Sequence, residues 1–415
     1  MSNWSYKKLN ELGFLSRGKS KHRPRNARFL YNGPYPFVQT ADITNSELHV
    51  IQYTQTYSKA GLAQSKIWDK GTLCIVNAGV NTGDTGILSF NACFPDSIIG
   101  FVSDNNKSDV RFIKYFLDLI KPRIRQITMG ATQDNLSMAK LLTFNVPTPP
   151  VCIQRKIASI LSSYDILLEN NNRRIQILEE MAKTIYEEWF VNFHFAGHTK
   201  PKKVKSKIGL IPQGWQVVKL NEYVDFIRGI EPGSDNYRSE RKEGTVPFLR
   251  VGDLGKRASE IFIDEELAEG RAISQDDIVV SLDGTVGIVR VGLEGCYSTG
   301  IRKLKIRNNW VRKSFLYCLM RSEHIQNIIK AHTKGSTIQH ASASIDYMDF
   351  ILPPESMINK FDEIADPMIE NILKLNKINN NLRATRDHLL PKLINGEINV
   401  DKLNINVANE ARYNA

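Results

Sequence analysis

The 415-residue chain has no apolar run approaching 18 residues and no charged-then-apolar stretch at its start, so neither membrane spanning nor secretion is expected. Cysteine is sparse. Cys74, Cys93, Cys152, Cys296 and Cys318 are an odd number with no close pair, which argues against a disulfide framework or a zinc site and fits a reducing cytoplasm. Catalytic signatures are also missing. The chain contains no helical His-Glu-x-x-His, no Gly-x-Ser-x-Gly and no paired-carboxylate nuclease motif. Its two Pro-Pro pairs, in Thr148-Pro149-Pro150-Val151 and Leu352-Pro353-Pro354-Glu355, lack the Asn/Asp-Pro-Pro-aromatic context of an amino-methylating enzyme and read as the end of a strand and the start of a helix.

One pattern imitates an enzyme. Gly13 to Ser20 matches G-x-x-x-x-G-K-S, but a phosphate loop needs a buried strand before it and a helix after it. Here Tyr6 to Glu11 leads in, His22-Arg23-Pro24-Arg25 follows, and the second half of the chain keeps only Arg228-Gly229. A nucleotide-binding enzyme using residues 13–20 is therefore a minor alternative. Gly79, Gly83 and Gly86, with Gly284 and Gly287, have the wrong spacing for a dinucleotide loop and read as β-turn residues.

What the chain does have is a second copy of itself. Trp4-Ser5-Tyr6-Lys7-Lys8-Leu9-Asn10-Glu11 returns as Trp215-Gln216-Val217-Val218-Lys219-Leu220-Asn221-Glu222, and Phe37-Val38-Gln39-Thr40-Ala41-Asp42-Ile43 as Phe248-Leu249-Arg250-Val251-Gly252-Asp253-Leu254, each 211 residues on. Gly130-Ala131-Thr132-Gln133 returns as Gly335-Ser336-Thr337-Ile338-Gln339. Such a long period means two complete modules rather than a solenoid. Each opens with short apolar runs punctuated by glycine, such as Thr72 to Val76 and Asp277 to Leu282, followed by helical stretches near 109–121 and 311–331, so the modules are mixed α/β.

Each module then changes period. Ile157, Leu161, Tyr164, Leu168, Asn171, Ile175, Leu178, Ala182, Ile185 and Trp189 are spaced by alternating fours and threes, as are Phe361, Ala365, Met368, Ile372, Leu375, Asn379, Leu382, Arg386, Leu389 and Leu393. This is a heptad seam of about 33 residues, roughly 50 Å at 1.5 Å per residue. Neither helix buries it alone, so the two are expected to pack on each other, and an antiparallel pairing would fix which residues face each other. With ends matched, partner numbers add to about 550, which sets Asn171 opposite Asn379 as a register-fixing polar layer. Pro367 is expected to kink the second helix or to restart it with Asp366 as cap.

The balance of 55 Lys+Arg against 44 Asp+Glu gives +11 and a pI near 9.2, in keeping with a polyanionic partner. Arg17, Lys19, Lys21, Arg23, Arg25 and Arg28 fall in a stretch without an acid, and Lys200, Lys202, Lys203, Lys205 and Lys207 form a second run between the copies. Arginine forks suit phosphate and guanine, and a loop glutamine can pair with adenine. The candidate DNA contacts are Arg17, Lys19, Lys21, Arg23, Arg25 and Gln133 in the first module, and Arg228, Arg238, Lys256, Arg257 and Gln339 in the second.

The two-copy plan, the helix ending Ile185-Tyr186-Glu187-Glu188-Trp189-Phe190-Val191-Asn192-Phe193, the restart Ile208-Gly209-Leu210-Ile211-Pro212-Gln213-Gly214-Trp215 and the closing Arg386 to Glu397 together resemble the specificity subunits of type I restriction-modification systems over nearly the whole chain. The resemblance implies an α+β fold of two globular α/β target-recognition domains separated by a pair of long antiparallel coiled-coil helices, with a pseudo-two-fold internal repeat. It further implies that each recognition domain reads one half of a bipartite double-stranded DNA target, that the helices set the spacing and dock two methyltransferase subunits, and that a restriction and translocase subunit joins the complex. The chain itself would be non-catalytic and hold no cofactor; S-adenosylmethionine, ATP and magnesium would belong to the partners. The layout expected is residues 1–150 and 212–354 as recognition domains, 151–195 and 355–397 as helical spacers, 196–211 as linker and 398–415 as a polar tail. Ser20 to Arg25 and Pro232 to Arg238 differ strongly, so the two half-targets should differ. A helical scaffold that never touches DNA is the other alternative.

Overall fold

The computed structural model describes residues 4–128, 135–195, 201–254, 261–268, 270–307, 310–335 and 339–405. Contacts divide the chain into two units, residues 1–171 with 379–415, and residues 172–378. Each unit therefore holds one head together with a portion of both long helices, Val151–Tyr186 and Glu355–Ile394.

In the first unit a five-stranded sheet has the order Gly13–Arg17, Ile98–Ser103, Leu73–Val76, Thr85–Leu88, His49–Val50, and a second sheet the order Gln55–Tyr57, Tyr31–Phe37, Ala92–Cys93, Ile67–Trp68. The second unit repeats this strand for strand. Its sheets run Val224–Arg228, Ile301–Ile306, Ile278–Ser281, Val289–Arg290 and Phe262–Asp264, Thr245–Leu249, Gly295–Tyr297, Ala272–Ile273; among the described strands of these sheets His49–Val50 alone has no counterpart. The repeated Phe-to-Asp motif ends in the same turn both times: the Gln39 N–H donates to Asp42 Oδ2 at 2.7 Å and the Arg250 N–H to Asp253 Oδ2 at 2.9 Å.

Each module is closed by its own ends. Ser5–Lys7 pairs antiparallel with Val146–Thr148, and Gln216–Lys219 with Asp349–Leu352. Pro149-Pro150 and Pro353-Pro354 then stop those closing strands, because proline gives no ladder donor, and a long helix begins at the next residue.

All twenty seam positions are buried or half-buried. In the first unit Ile157 and Leu161 share one core with Leu393 and Ile394 and with the head residues Leu9, Leu12, Ile75, Phe101 and Phe112. In the second, Tyr186, Phe190, Phe361, Ala365 and Ile372 share a core with Val280, Phe315, Leu316 and Phe350. The antiparallel register is the same in both. Asn171 Nδ2 donates to Asn379 Oδ1 at 2.9 Å, and the Trp189 and Phe361 rings meet at 6.2 Å, so in each unit facing residues carry numbers that add to 550.

Several local expectations are corrected. The second helix runs through Pro367 as one element, with no restart at Asp366; the Asp366 carboxylate instead accepts from the Ser314 hydroxyl. The stretch 311–331 is two helices, Lys313–Arg321 and Glu323–Ala331, parted at Ser322, whose hydroxyl caps the second by accepting from the Ile325 N–H at 3.4 Å. The segment read as linker contains an antiparallel ribbon, Lys203–Ser206 against Gly209–Pro212, because Val204 alternates with the lysines and the tight turn at Lys207-Ile208 closes on Gly209 at φ +118°. Gly79, Gly83, Gly284 and Gly287 do occupy positive-φ turns, but Gly86 lies inside a strand, where a Cβ would meet Ser46 Oγ at 2.7 Å.

The candidate nucleic-acid interface

The apparent phosphate loop is a strand. Gly13–Arg17 pairs with Ile98–Ser103, and the next helical turn is only the short 3-10 segment Arg28–Leu30. Gly18 is needed for a different reason. A Cβ there would fall 2.3 Å from the Pro95 carbonyl oxygen, and one on Gly229 would fall 2.1 Å from that of Tyr297, so both modules bring a turn against the strand end at the Arg-Gly pair.

That contact organises the cationic stretch. Beyond Arg17 the burial alternates: Gly18 and Ser20 point inward, whereas Arg17, Lys19 and Lys21 are exposed. The Lys19 N–H donates to the Phe94 carbonyl at 3.0 Å, the Ser20 and Tyr57 hydroxyls lie 3.3 Å apart, and the His22 N–H donates to Gln64 Oε1 at 2.9 Å. Burial raises the Tyr57 phenol above its usual value, so it stays a neutral partner. Arg17, Lys19 and Lys21 have no side-chain partner among the described residues. Arg23 and Arg25 are engaged: Arg23 Nη1 donates to the Ser20 and His22 carbonyls at 2.8 and 2.9 Å, and Arg25 Nη2 to Asp96 at 2.7 Å.

The turn Asn77-Ala78-Gly79 joins the same surface. Asn77 Nδ2 donates to the Asp96 carbonyl at 3.0 Å, and Ala78 bridges Asn135, two positions after Gln133 in the sequence. Gln133 itself lies outside the described residues, as do Lys256 and Arg257. The second module repeats the convergence. Gly284 N–H donates to the Gln339 carbonyl at 2.8 Å and Ala341 N–H to the Leu282 carbonyl at 2.7 Å, which seats the Gln339 loop on the glycine turn. Gln339 and Arg228 are exposed, and Arg238 Nη2 pairs with Asp264 at 3.1 Å.

Sequence reasoning missed four features of this surface. In the second module His340 Nδ1 lies 2.8 Å from Asp283 Oδ1, and Arg302 stands cross-strand from Arg228 with its guanidinium donating to Ser342 Oγ at 2.7 Å. Burial, aided by the Arg228 charge, lowers the Arg302 pKa against the pull of Asp283. In the first module Lys66 Nζ sits 3.8 Å from the Trp68 ring and 5.1 Å from that of Phe14, which is 56% exposed. Beside the cationic stretch, a cleft of about 270 Å³ is lined by Tyr31, Asn32, Tyr53, Thr54, Gln55 and Thr56, and Tyr31 Oη donates to the Arg25 carbonyl at 2.6 Å. The position of His340 next to the repeated Gly-Ser-Thr-Ile-Gln loop was the only available signal for any of these.

The chemistry offered is recognition: unpaired cations for phosphates, with amides and hydroxyls for base edges. Burial raises the thiols of Cys74, Cys93, Cys296 and Cys318, which keeps them protonated and unreactive. No helix among the described residues is long and apolar enough to cross a membrane.

A family model described as the type I restriction modification DNA specificity domain matches the chain twice, over residues 1–180 and 212–384, and the chain belongs to that family. It is 25% identical over 420 residues to the MjaIX specificity subunit of Methanocaldococcus jannaschii, covering 96% of this chain and 94% of that one. It is 22% identical over 486 residues to the HindI specificity subunit of Haemophilus influenzae, covering 96% and 100%. The crystal structure of a type I S subunit from M. genitalium shares the fold, with a TM-score of 0.51 at 20% identity over 94% of this chain and 96% of that one.

Proposed function

We propose that this chain is the DNA-reading subunit of a type I restriction-modification complex, in which each head reads one half of an asymmetric bipartite target. The long helices set the spacing and dock two methyltransferase subunits, to which a restriction and translocase subunit adds. Methyl transfer and cleavage, with their S-adenosylmethionine, ATP and magnesium, belong to those partners, in the cytoplasm. The observation that carries the reading is the double match to a DNA specificity domain on a chain whose two modules have the same strand order but different residues at their exposed loops.

Phosphate contacts supply affinity without sequence information, and the heads offer exposed cations for this at Arg17, Lys19, Lys21 and Arg228. The test is a gel shift of the chain assembled with its methyltransferase on target-containing and random DNA. Tighter binding to the target supports the reading, and equal binding to both contradicts it.

A further inference from the structure

In the second unit, the helix Glu355–Ile394 borders a cleft of about 390 Å³ lined by Arg312, Asn359, Asp362, Glu363, Asp366, Pro367 and Glu370. Four carboxylates face one guanidinium, and that guanidinium is engaged by Asn359 Oδ1 at 3.3 Å. Asp366 accepts from Ser314, and Glu370 has Lys374 at 3.7 Å. Asp362 is different: it is 7% exposed, and its Oδ1 is buried without any hydrogen-bond partner. Pro367 adds another acceptor, because it has no N–H to give to the Glu363 carbonyl one turn earlier.

A buried carboxylate oxygen without a hydrogen-bond partner costs stability, a cost that a cation placed against it relieves. DNA is excluded by sign, since phosphates are repelled by this cleft. A metal ion fits poorly, because among the described residues no three carboxylate, histidine or cysteine groups are close enough to share one. An ammonium or guanidinium distributes several donors over separated acceptors.

We infer that this cleft receives a lysine or arginine side chain of the methyltransferase subunit, with Asp362 and Asp366 as its acceptors. The inference rests on the proposed function for the identity of the partner.

The experiment compares the full chain with its Asp362→Asn and Asp366→Asn variants, alone and with purified methyltransferase. Alone, Asp362→Asn melts at the same temperature or higher. With methyltransferase, each variant binds weaker by about thirtyfold or more, the low end of what loss of one partner of a buried charge pair costs. Unchanged methyltransferase affinity in both variants overturns the inference, as does a lower melting temperature of Asp362→Asn alone, which would make the carboxylate structural. Spermidine serves as the free-cation control: if it raises the melting temperature of the unaltered chain but not of Asp362→Asn, the cleft takes a small polyamine and the inference falls. An unaltered chain that fails to bind methyltransferase would instead refute the proposed function.

Discussion

Replacing the buried asparagine pair tests whether the helix register is set by hydrogen bonding or by apolar packing alone. Asn171 and Asn379 are 8% and 1% exposed and joined at 2.9 Å, with the apolar seam positions Leu168, Ile175, Leu375 and Leu382 on either side of them. Changing one of them to leucine leaves the other amide short of this partner, which costs about 1–3 kcal/mol, while the new methyl groups face a polar neighbour. Changing both removes that penalty and buries two leucines, each contributing about 1.5–3 kcal/mol. The double variant is therefore expected to be more stable than the sum of the two single changes by two such penalties, about 2–6 kcal/mol, in a double-mutant cycle of urea unfolding. With the polar layer gone, the seam also loses one of the contacts that distinguish one heptad setting from the next. A coupling within about 0.5 kcal/mol of zero would refute the argument, because contacts that do not interact add to within that margin.

Other consequences follow from the same geometry. Neutralising Arg17, Lys19 and Lys21 together should reduce the slope of log affinity against log salt by up to about 2.7, at about 0.9 per phosphate contact, with binding measured by fluorescence anisotropy; Arg25→Gln, already paired to Asp96, should change it less. An unaltered slope in the triple variant would remove these residues from the interface. Alanine at Gly18 or Gly229 should destabilise the chain by about 1–3 kcal/mol in thermal unfolding, because each Cβ collides with a backbone carbonyl at 2.3 or 2.1 Å; a neutral result would mean the turns yield freely. Burial, and then the neighbouring Asp366 charge, push the Asp362 carboxyl up to about 7, against Arg312 and a backbone N–H from Phe315, with the Cys318 thiol also near. The folded chain thus holds a proton that the unfolded chain releases above about pH 4, so this contribution is full below that pH and is lost as pH rises to about 7. Asp362→Asn should show a smaller decline in stability across that window than the unaltered chain, and identical pH profiles would contradict the assignment.

Much of this architecture was legible in the sequence because it is periodic. The four-three spacing identified both helices and set Asn171 opposite Asn379, and the Pro-Pro pairs marked the residue where each helix starts. What escaped was contact at long separation. Counting one seam face hid the other faces, where Ala158 joins the first head's core. Arg386 was counted only as a seam position, yet it pairs with the fully buried Asp165, to which Tyr115 Oη donates at 2.5 Å. Those three residues come from segments far apart in the chain, and none has a local signature. In the second unit Tyr317 and Arg321 grip Glu179 at 2.7 and 3.1 Å, a similar device built from different residues. Asp362-Glu363 reads as a solvated helix face, and only the packing of Phe315 and its neighbours reveals that Asp362 is buried. The cationic stretch was legible as charge, but its division into free and paired cations depended on Asp96, 71 residues from Arg25.

The most direct test of the account is a map of methylated bases in cells that express this chain with its methyltransferase, compared with cells in which residues 228–238 are exchanged for those of a relative. The account predicts a bipartite motif with unlike halves, of which the exchange alters one half and leaves the other and the spacing intact. A motif without two parts, or an exchange that alters both halves at once, would contradict it.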